Sequence, residues 1–146
     1  MADETPIKNK LILTVGLPRS GKDTWARQQS FPIVSPDAIR LAMHGQRFCE
    51  SAEPLVWATA QLMVAALFKA GHHTVIVNAT NITAKRRSVW VDKFHPDVDI
   101  EYKVIDTDPE TCIQRAINTG QEDLIPVIRR MAESWDISTI SWSSVV

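Results

Sequence analysis

"LILTVGLPRSGKDTWARQQ", residues 11–29, joins an apolar run to a helix-forming run through a short loop that contains two glycines. The first five residues, LILTV, are apolar or β-branched, as expected of a buried β-strand. The last six, TWARQQ, contain no helix breaker, so we expect them to be helical. This order of strand, loop and helix is the setting in which glycine-containing loops bind phosphate groups.

The loop has the spacing G-x-x-x-x-G-K of a phosphate-binding P-loop. Gly16 and Gly21 permit backbone angles that turn successive N–H groups toward a phosphate, and Lys22 supplies a positive charge for the β and γ phosphates. A glycine-containing turn with a chance lysine is the alternative, but both flanking elements favour the P-loop. The predicted nucleotide-binding residues are Gly16, Leu17, Pro18, Arg19, Ser20, Gly21, Lys22, Asp23 and Thr24.

Length and composition indicate one globular domain covering residues 1–146. The chain has 16 basic and 17 acidic residues, so its net charge is close to zero. A broad basic surface for nonspecific nucleic-acid binding is therefore not expected. Cys49 and Cys112 form no C-x-x-C pattern, which argues against a zinc site or a disulfide framework.

The N-terminal segment MADETPIKNK lacks the apolar region of a secretion signal, and no stretch approaches 18 consecutive apolar residues. We therefore predict no membrane association and a cytoplasmic location. Residues 1–9 are expected to form a flexible N-terminal segment.

Short apolar runs alternate with longer helical stretches along the chain, as they do in parallel α/β proteins. This pattern predicts a three-layer α/β P-loop fold with a central, mostly parallel sheet of about five strands and helices on both faces. The strands are predicted at residues 10–15, 32–34, 74–77, 100–106 and, as an edge strand, 137–142. The helices are predicted at residues 24–29, 36–44, 53–70, 83–94, 109–118 and 123–135, of which 53–70 is expected to be buried on more than one side.

Polar residues follow several of these strands, at the edge of the sheet where parallel α/β folds bind ligands. Asp37 comes just after the second strand, opposite the P-loop, where its carboxylate could accept a proton from a hydroxyl group. Arg40 lies three residues later on the same helix face and could hold an anionic group of the acceptor. Spacing alone leaves open that Asp37 is a first-turn acid and that Arg40 is its intrahelical partner.

Further cations lie beyond the third and fourth strands. Arg115 is a candidate catalytic residue, because P-loop kinases commonly place a lid with an arginine after the fourth strand; a solvated helix face is the alternative. Lys85, Arg86 and Arg87 more often form such a solvated face. Tryptophans occupy apolar helical positions and are expected to lie in the core, namely Trp25, Trp57 and Trp90.

Taken together, these motifs resemble the P-loop kinases related to the kinase domain of phage polynucleotide 5′-kinase, an AAA-type P-loop kinase-like family. The matching segments span most of the chain in the same order: LILTVGLPRSGKDTWAR, SPDAIR, VIVNATN with KRR, Arg115, and IPVIRRM. The resemblance implies that Asp37 is the general base for a 5′-hydroxyl and that Arg40 holds a nucleic-acid phosphate. It also implies ATP and Mg²⁺ as cofactors.

Two departures from the family pattern concern the metal. Asp23 replaces the hydroxyl residue after the P-loop lysine, and Asn78 with Ala79 replaces the aspartate at the end of the third strand. We hypothesise that the carboxylate has moved from the strand to the loop, so that Asp23 binds Mg²⁺ and Asn78 assists it. The alternative is that Asp23 is only a first-turn acid in a weakened site.

A third departure lies in the predicted lid. Asn118 and Thr119 stand near a place at which the related kinase has further basic residues. The resemblance then implies reduced stabilisation of the transition state rather than weaker ATP binding.

The sequence is compatible with three functions. The first is an ATP-dependent kinase that acts on the 5′-hydroxyl of a polynucleotide, with Lys22, Asp37, Arg40 and Arg115 as catalytic residues. The second is a kinase of a small hydroxylated metabolite, nucleoside or nucleotide, since the same scaffold serves many acceptors. The third is a nucleotide-binding module without catalysis.

Overall fold

The computed structural model describes residues 7–45 and 48–146. Most of the predicted flexible segment 1–9 therefore lies outside the described residues. The strands are β1 Lys10–Val15, β2 Ile33–Val34, β3 Thr74–Val77 and β4 Asp99–Val104. The helices are α1 Lys22–Gln28, α2 Pro36–His44, α3 Glu53–Lys69, α4 Ala84–Phe94, α5 Pro109–Asn118 and α6 Ile125–Glu133. Short 3₁₀ turns lie at Glu50–Ala52, Glu122–Leu124 and Trp142–Ser144.

The described strands form a parallel four-stranded sheet in the order β2-β3-β1-β4. The predicted α/β fold is confirmed, but the predicted edge strand at 137–142 is wrong. That segment contains a turn and no strand, because it is held by other contacts: Asp136 N, just before it, donates to Ile82 O at 2.8 Å, and Thr139 Oγ1 accepts from Arg87 of α4 at 2.9 Å. Further on, Val145 makes an isolated parallel bridge to Tyr102 of β4.

Alternate residues of β1 face opposite layers of helices. Leu11 and Leu13 pack in the largest core cluster, which includes residues of α2, α3 and α4. Ile12 points to the other side and packs with Ala26 of α1. A third cluster joins Leu17 of the loop to α5 and α6. The loop after β1 is therefore held between packed layers at the carboxyl end of the sheet.

The helix α3 is less buried than predicted. A single stripe, Val56, Ala60 and Val64, is buried against the core, whereas Leu62 is 70% exposed. The reason is that the sheet covers only one side of the helix. By length and composition, the helical stretch Glu50–Lys69 could cross a membrane, a criterion that core helices of other proteins also meet; 17% of its apolar window is buried.

Candidate active site

The P-loop forms a tight turn at the carboxyl end of β1. Ser20 N donates to Leu17 O at 3.1 Å, and Thr107 Oγ1 anchors the loop by donating to Ser20 O at 2.8 Å. Arg19 and Gly21 both have positive φ, 66° and 106°. At Gly16 a side chain has no room, since a Cβ would lie 2.6 Å from Ser20 Oγ. The two glycines are therefore needed for the loop shape, as the sequence motif predicted.

The loop lysine is buried, and two exposed carboxylates lie near enough to affect its pKa. Lys22 is 8% exposed, and its Nζ donates to Leu17 O at 2.8 Å. Burial lowers the pKa of this ammonium, while the nearby carboxylates of Asp23 and Asp37 oppose that shift. The sequence separates Asp37 from the loop, but the fold brings its charge to the lysine.

Two of the residues that depart from the family pattern, Asp23 and Asn78, are in direct contact. Asn78 Nδ2 donates to Asp23 Oδ1 at 2.6 Å, across 55 positions of sequence. The strand end that carries Asn78 is fixed by Thr14, whose Oγ1 donates to Ala79 O at 2.7 Å and accepts from Ala79 N at 3.0 Å. The Asp23 carboxylate and the Asn78 carboxamide therefore lie side by side next to the phosphate loop.

The donor set at this position fits a magnesium ion that is held mainly by substrate phosphates. Mg²⁺ commonly keeps several waters and takes only one or two carboxylates from the protein. Asp23 is exposed to the cleft and supplies one such carboxylate. Among residues 7–45 and 48–146 there is no group of three or more His, Cys, Asp or Glu side chains that could hold a metal without a nucleotide.

Arg40 is held by two carboxylates on the opposite wall of the cleft. Its Nε and Nη2 donate to the two oxygens of Glu53 at 2.9 and 2.6 Å, and its Nη1 donates to Asp37 at 2.6 Å. The side chains of Arg40 and Glu53 are 13% and 15% exposed, whereas that of Asp37 is 79% exposed. Arg40, which was expected to hold an anionic group of the acceptor, thus presents two of its nitrogens to Glu53. The sequence analysis missed Glu53 because it lies on another helix.

The pair of Glu53 and Arg40 predicts a pH-dependent stability. Hydrogen bonds from Arg40 hold the pKa of Glu53 below its usual value of 4.5. A carboxylate with a lowered pKa stabilises the fold above the unfolded pKa, and this contribution is lost as the pH falls through the folded pKa. We expect Glu53→Gln to lower the free energy of unfolding by about 1–3 kcal/mol at pH 7 and by progressively less below pH 4.5.

Urea unfolding at pH 7 and at pH 3.5 checks this expectation, with Glu50→Gln as the matched control. Glu50 is exposed on the preceding 3₁₀ turn. A Glu53→Gln deficit of the same size at both pH values would contradict the assignment of the stabilisation to the ion pair.

Trp57 bears out the core prediction in part: it is half-buried, packs against the main core cluster and lies edge-on to Trp90 with ring centroids 6.3 Å apart, but it also lines the cleft. The guanidinium carbons of Arg40 and Arg86 lie 5.8 and 5.2 Å from its ring centroid. Trp25 is likewise half-buried: it packs against the cluster of Ile12 and Ala26, and Lys103 Nζ lies 5.6 Å from its ring centroid. The prediction was right for Trp90, which is fully buried. Aromatic residues on amphipathic helices match both environments, so their spacing alone could not separate core from cleft.

Arg115 reaches the P-loop from α5. Its Nη1 donates to Arg19 O at 3.2 Å and lies 3.9 Å from the position that a Cβ on Gly21 would take. Arg130 of α6 lines the same cleft. The segment IPVIRRM contains Arg130, but the sequence assigned this residue no role. The direction of the Arg130 side chain depends on how α6 packs on α5.

One open cleft of about 1500 Å³ contains all of these groups. The P-loop and Asp23 form its floor, α2 and α3 form one wall, and Arg115 with α6 forms the other. This volume accommodates a nucleotide together with an acceptor. All the predicted catalytic residues line it: Lys22, Asp37, Arg40 and Arg115.

The AAA domain family AAA_33 matches residues 11–125, which is most of the chain. The chain belongs to this family. Its fold is that of the P-loop kinases, and the predicted resemblance to them is confirmed. A fold of this kind binds nucleotides through the loop described above.

Solved structures similar to this chain include kinases and an RNA repair assembly. Two chains of the Pnkp1/Rnl/Hen1 complex match it with a TM-score of 0.69 each, at 23% and 29% identity. These matches cover 92% and 78% of this chain but 48% and 41% of the others, so the chain spans less than half of their length. The APS kinase CysC of Mycobacterium tuberculosis, solved with AMPPNP and APS, matches with a TM-score of 0.60 and 20% identity, covering 84% of this chain and 76% of its own.

Proposed function

We propose that this protein transfers the γ-phosphate of ATP to the 5′-hydroxyl of a polynucleotide, with Mg²⁺ as the metal. The observation that carries the proposal is the position of Asp37, an exposed carboxylate in the same cleft as the P-loop and close enough to Lys22 to affect its pKa. The D-x-x-R pattern of Asp37 and Arg40, and the likeness to chains of an RNA repair complex, support a polynucleotide as the acceptor.

The P-loop side of the cleft would bind the donor. The backbone N–H groups of residues 16–24 and the N-terminus of α1 would hold the phosphates. Lys22 would exchange the Leu17 carbonyl for phosphate oxygens, which suit an ammonium better than a neutral acceptor. Arg115, already hydrogen-bonded to the loop, would neutralise charge on the γ-phosphate.

The opposite wall would bind and activate the acceptor. Its hydroxyl oxygen forms a bond to the γ-phosphorus while the bond from that phosphorus to the β–γ bridging oxygen breaks, and ADP keeps the electron pair. Asp37 takes the hydroxyl proton. Arg40 would hold an acceptor phosphate through the second N–H of Nη1, whose other N–H donates to Asp37, while Glu53 occupies Nε and Nη2 and keeps the guanidinium oriented.

Asp23 would hold Mg²⁺, and Asn78 would orient the Asp23 carboxylate or a water bound to the metal. Bound Mg²⁺ supplies neutralisation of the phosphate charge. The two replacements found in the sequence then compensate each other, because the number of carboxylates beside the phosphates is unchanged.

A kinase of a small hydroxylated metabolite is the second candidate, and the state of Arg40 favours it. Two carboxylates, Asp37 and Glu53, surround this one guanidinium. Such a wall attracts a polyanion less than an unpaired arginine would.

Transfer of ³²P from Mg·ATP to 5′-hydroxyl DNA and RNA oligonucleotides tests the proposal. We expect labelling by the wild type and none by Lys22→Ala, which removes the phosphate-binding ammonium. If the wild type binds ATP but labels no oligonucleotide, the polynucleotide assignment is wrong. Labelling that persists in Lys22→Ala would indicate a contaminating kinase.

A further inference from the structure

The three adjacent cations at the start of α4 occupy different environments. Arg87 is 2% exposed and donates to Asn81 O and Thr139 Oγ1, both at 2.9 Å, so it fixes the fold. Lys85 is exposed and lies outside the cleft, whereas Arg86 lines it. The sequence presents these residues as one basic group, but only Arg86 is placed to meet a ligand.

The wall of the cleft that carries Asp37, Arg40 and Glu53 has an excess of negative charge, which Arg86 offsets. Arg40 donates from three of its nitrogens to Asp37 and Glu53, so two negative charges surround its one positive charge. Arg86 lies near enough to lower the pKa of Glu53 and adds a second positive charge to the wall. Without Arg86, this part of the cleft would repel an anionic acceptor.

Trp57 holds Arg86 in the cleft. The guanidinium carbon lies 5.2 Å from the ring centroid, which is within the range of a cation–π contact. Helix stability does not explain a cation here, because Arg86 lies in the first turn of α4, where the helix dipole disfavours positive charge. Stacking on Trp57 leaves the edge of the guanidinium available to a phosphate.

We propose that Arg86 is a specificity-determining residue that binds a backbone phosphate of the acceptor strand. This inference rests on the proposed function. Arg86 would supply a positive charge for the acceptor, because the charge of Arg40 is already paired with two carboxylates. Arg86 does not contact the transferred phosphate, so its loss should affect acceptor binding and leave the use of ATP unchanged.

The test measures kcat and KM for 5′-hydroxyl oligonucleotides, and their salt dependence, in the wild type, Arg86→Gln and Lys85→Gln. We expect Arg86→Gln to raise the acceptor KM about tenfold, the effect of losing one hydrogen bond to a charged partner. The slope of log(kcat/KM) against log[salt] should fall in magnitude by about 0.7–1, the contribution of one phosphate contact. The KM for ATP should not change.

Lys85→Gln is the matched control, because it removes the same charge from the next position outside the cleft. Equal salt slopes for Arg86→Gln and Lys85→Gln would overturn the inference while wild-type labelling still upheld the kinase. Absence of wild-type labelling would instead overturn the proposed function, and the inference with it. Arg86→Lys distinguishes charge from packing, since it should restore the salt slope if the role is phosphate binding.

Discussion

Asp37→Asn should lower kcat for phosphoryl transfer by a factor on the order of 10²–10⁴, because an amide cannot accept the proton of the attacking hydroxyl. The carboxamide has nearly the shape of the carboxylate and can still accept a hydrogen bond from Arg40 Nη1. ATP binding should therefore be nearly unchanged. Single-turnover labelling of an oligonucleotide, with ATP affinity measured separately, isolates this effect.

The competing interpretation makes Asp37 only a first-turn acid and a partner of Arg40 in α2. It predicts a stability loss of a few tenths of a kcal/mol to about 1 kcal/mol, with no loss of rate. Asp92→Asn makes the same chemical change on the exposed surface of α4 and serves as control. If Asp37→Asn keeps the wild-type kcat, Asp37 is not the base.

Asp23→Ser should make the enzyme require about 10–100-fold more Mg²⁺ for half-maximal activity, because it removes the carboxylate that we propose holds Mg²⁺ beside the phosphate loop. Asn78→Asp alone should also lower the activity, because the Asn78 nitrogen that donates to Asp23 at 2.6 Å would be replaced by an oxygen. The double variant Asp23→Ser/Asn78→Asp returns the carboxylate to the strand and the hydroxyl to the loop, so we expect it to recover most of the activity.

Magnesium titrations of the four proteins form a double-mutant cycle. A large positive coupling between positions 23 and 78 supports the relocated carboxylate. If Asp23→Ser instead binds ATP more tightly and keeps its Mg²⁺ requirement, Asp23 merely repels the phosphates. Additive losses in the double variant would show that the two positions do not exchange roles.

Local features were predictable because short-range interactions decide them. The strand Lys10–Val15 and the helix Pro109–Asn118 have the predicted bounds, and Ser35 caps α2 by accepting from Ala38 N at 3.2 Å. The P-loop shape follows from two glycines: Gly21 adopts a positive φ, and Gly16 has no room for a Cβ. Burial on a helix was less predictable: α3 is apolar nearly all round, yet the sheet covers only one stripe.

The sequence by itself determined the P-loop, the parallel α/β fold and the identity of the groups that we propose for phosphoryl transfer, since each depends on residue type and local spacing. Only the tertiary structure decided which of these groups meet. It joined Asp23 to Asn78 across 55 positions, Arg115 to Arg19 across 96, and Arg40 to Glu53. The physical reason is that packing of the helices on the sheet sets the direction of each side chain, and hydrogen bonds between charged groups act only over a few ångströms.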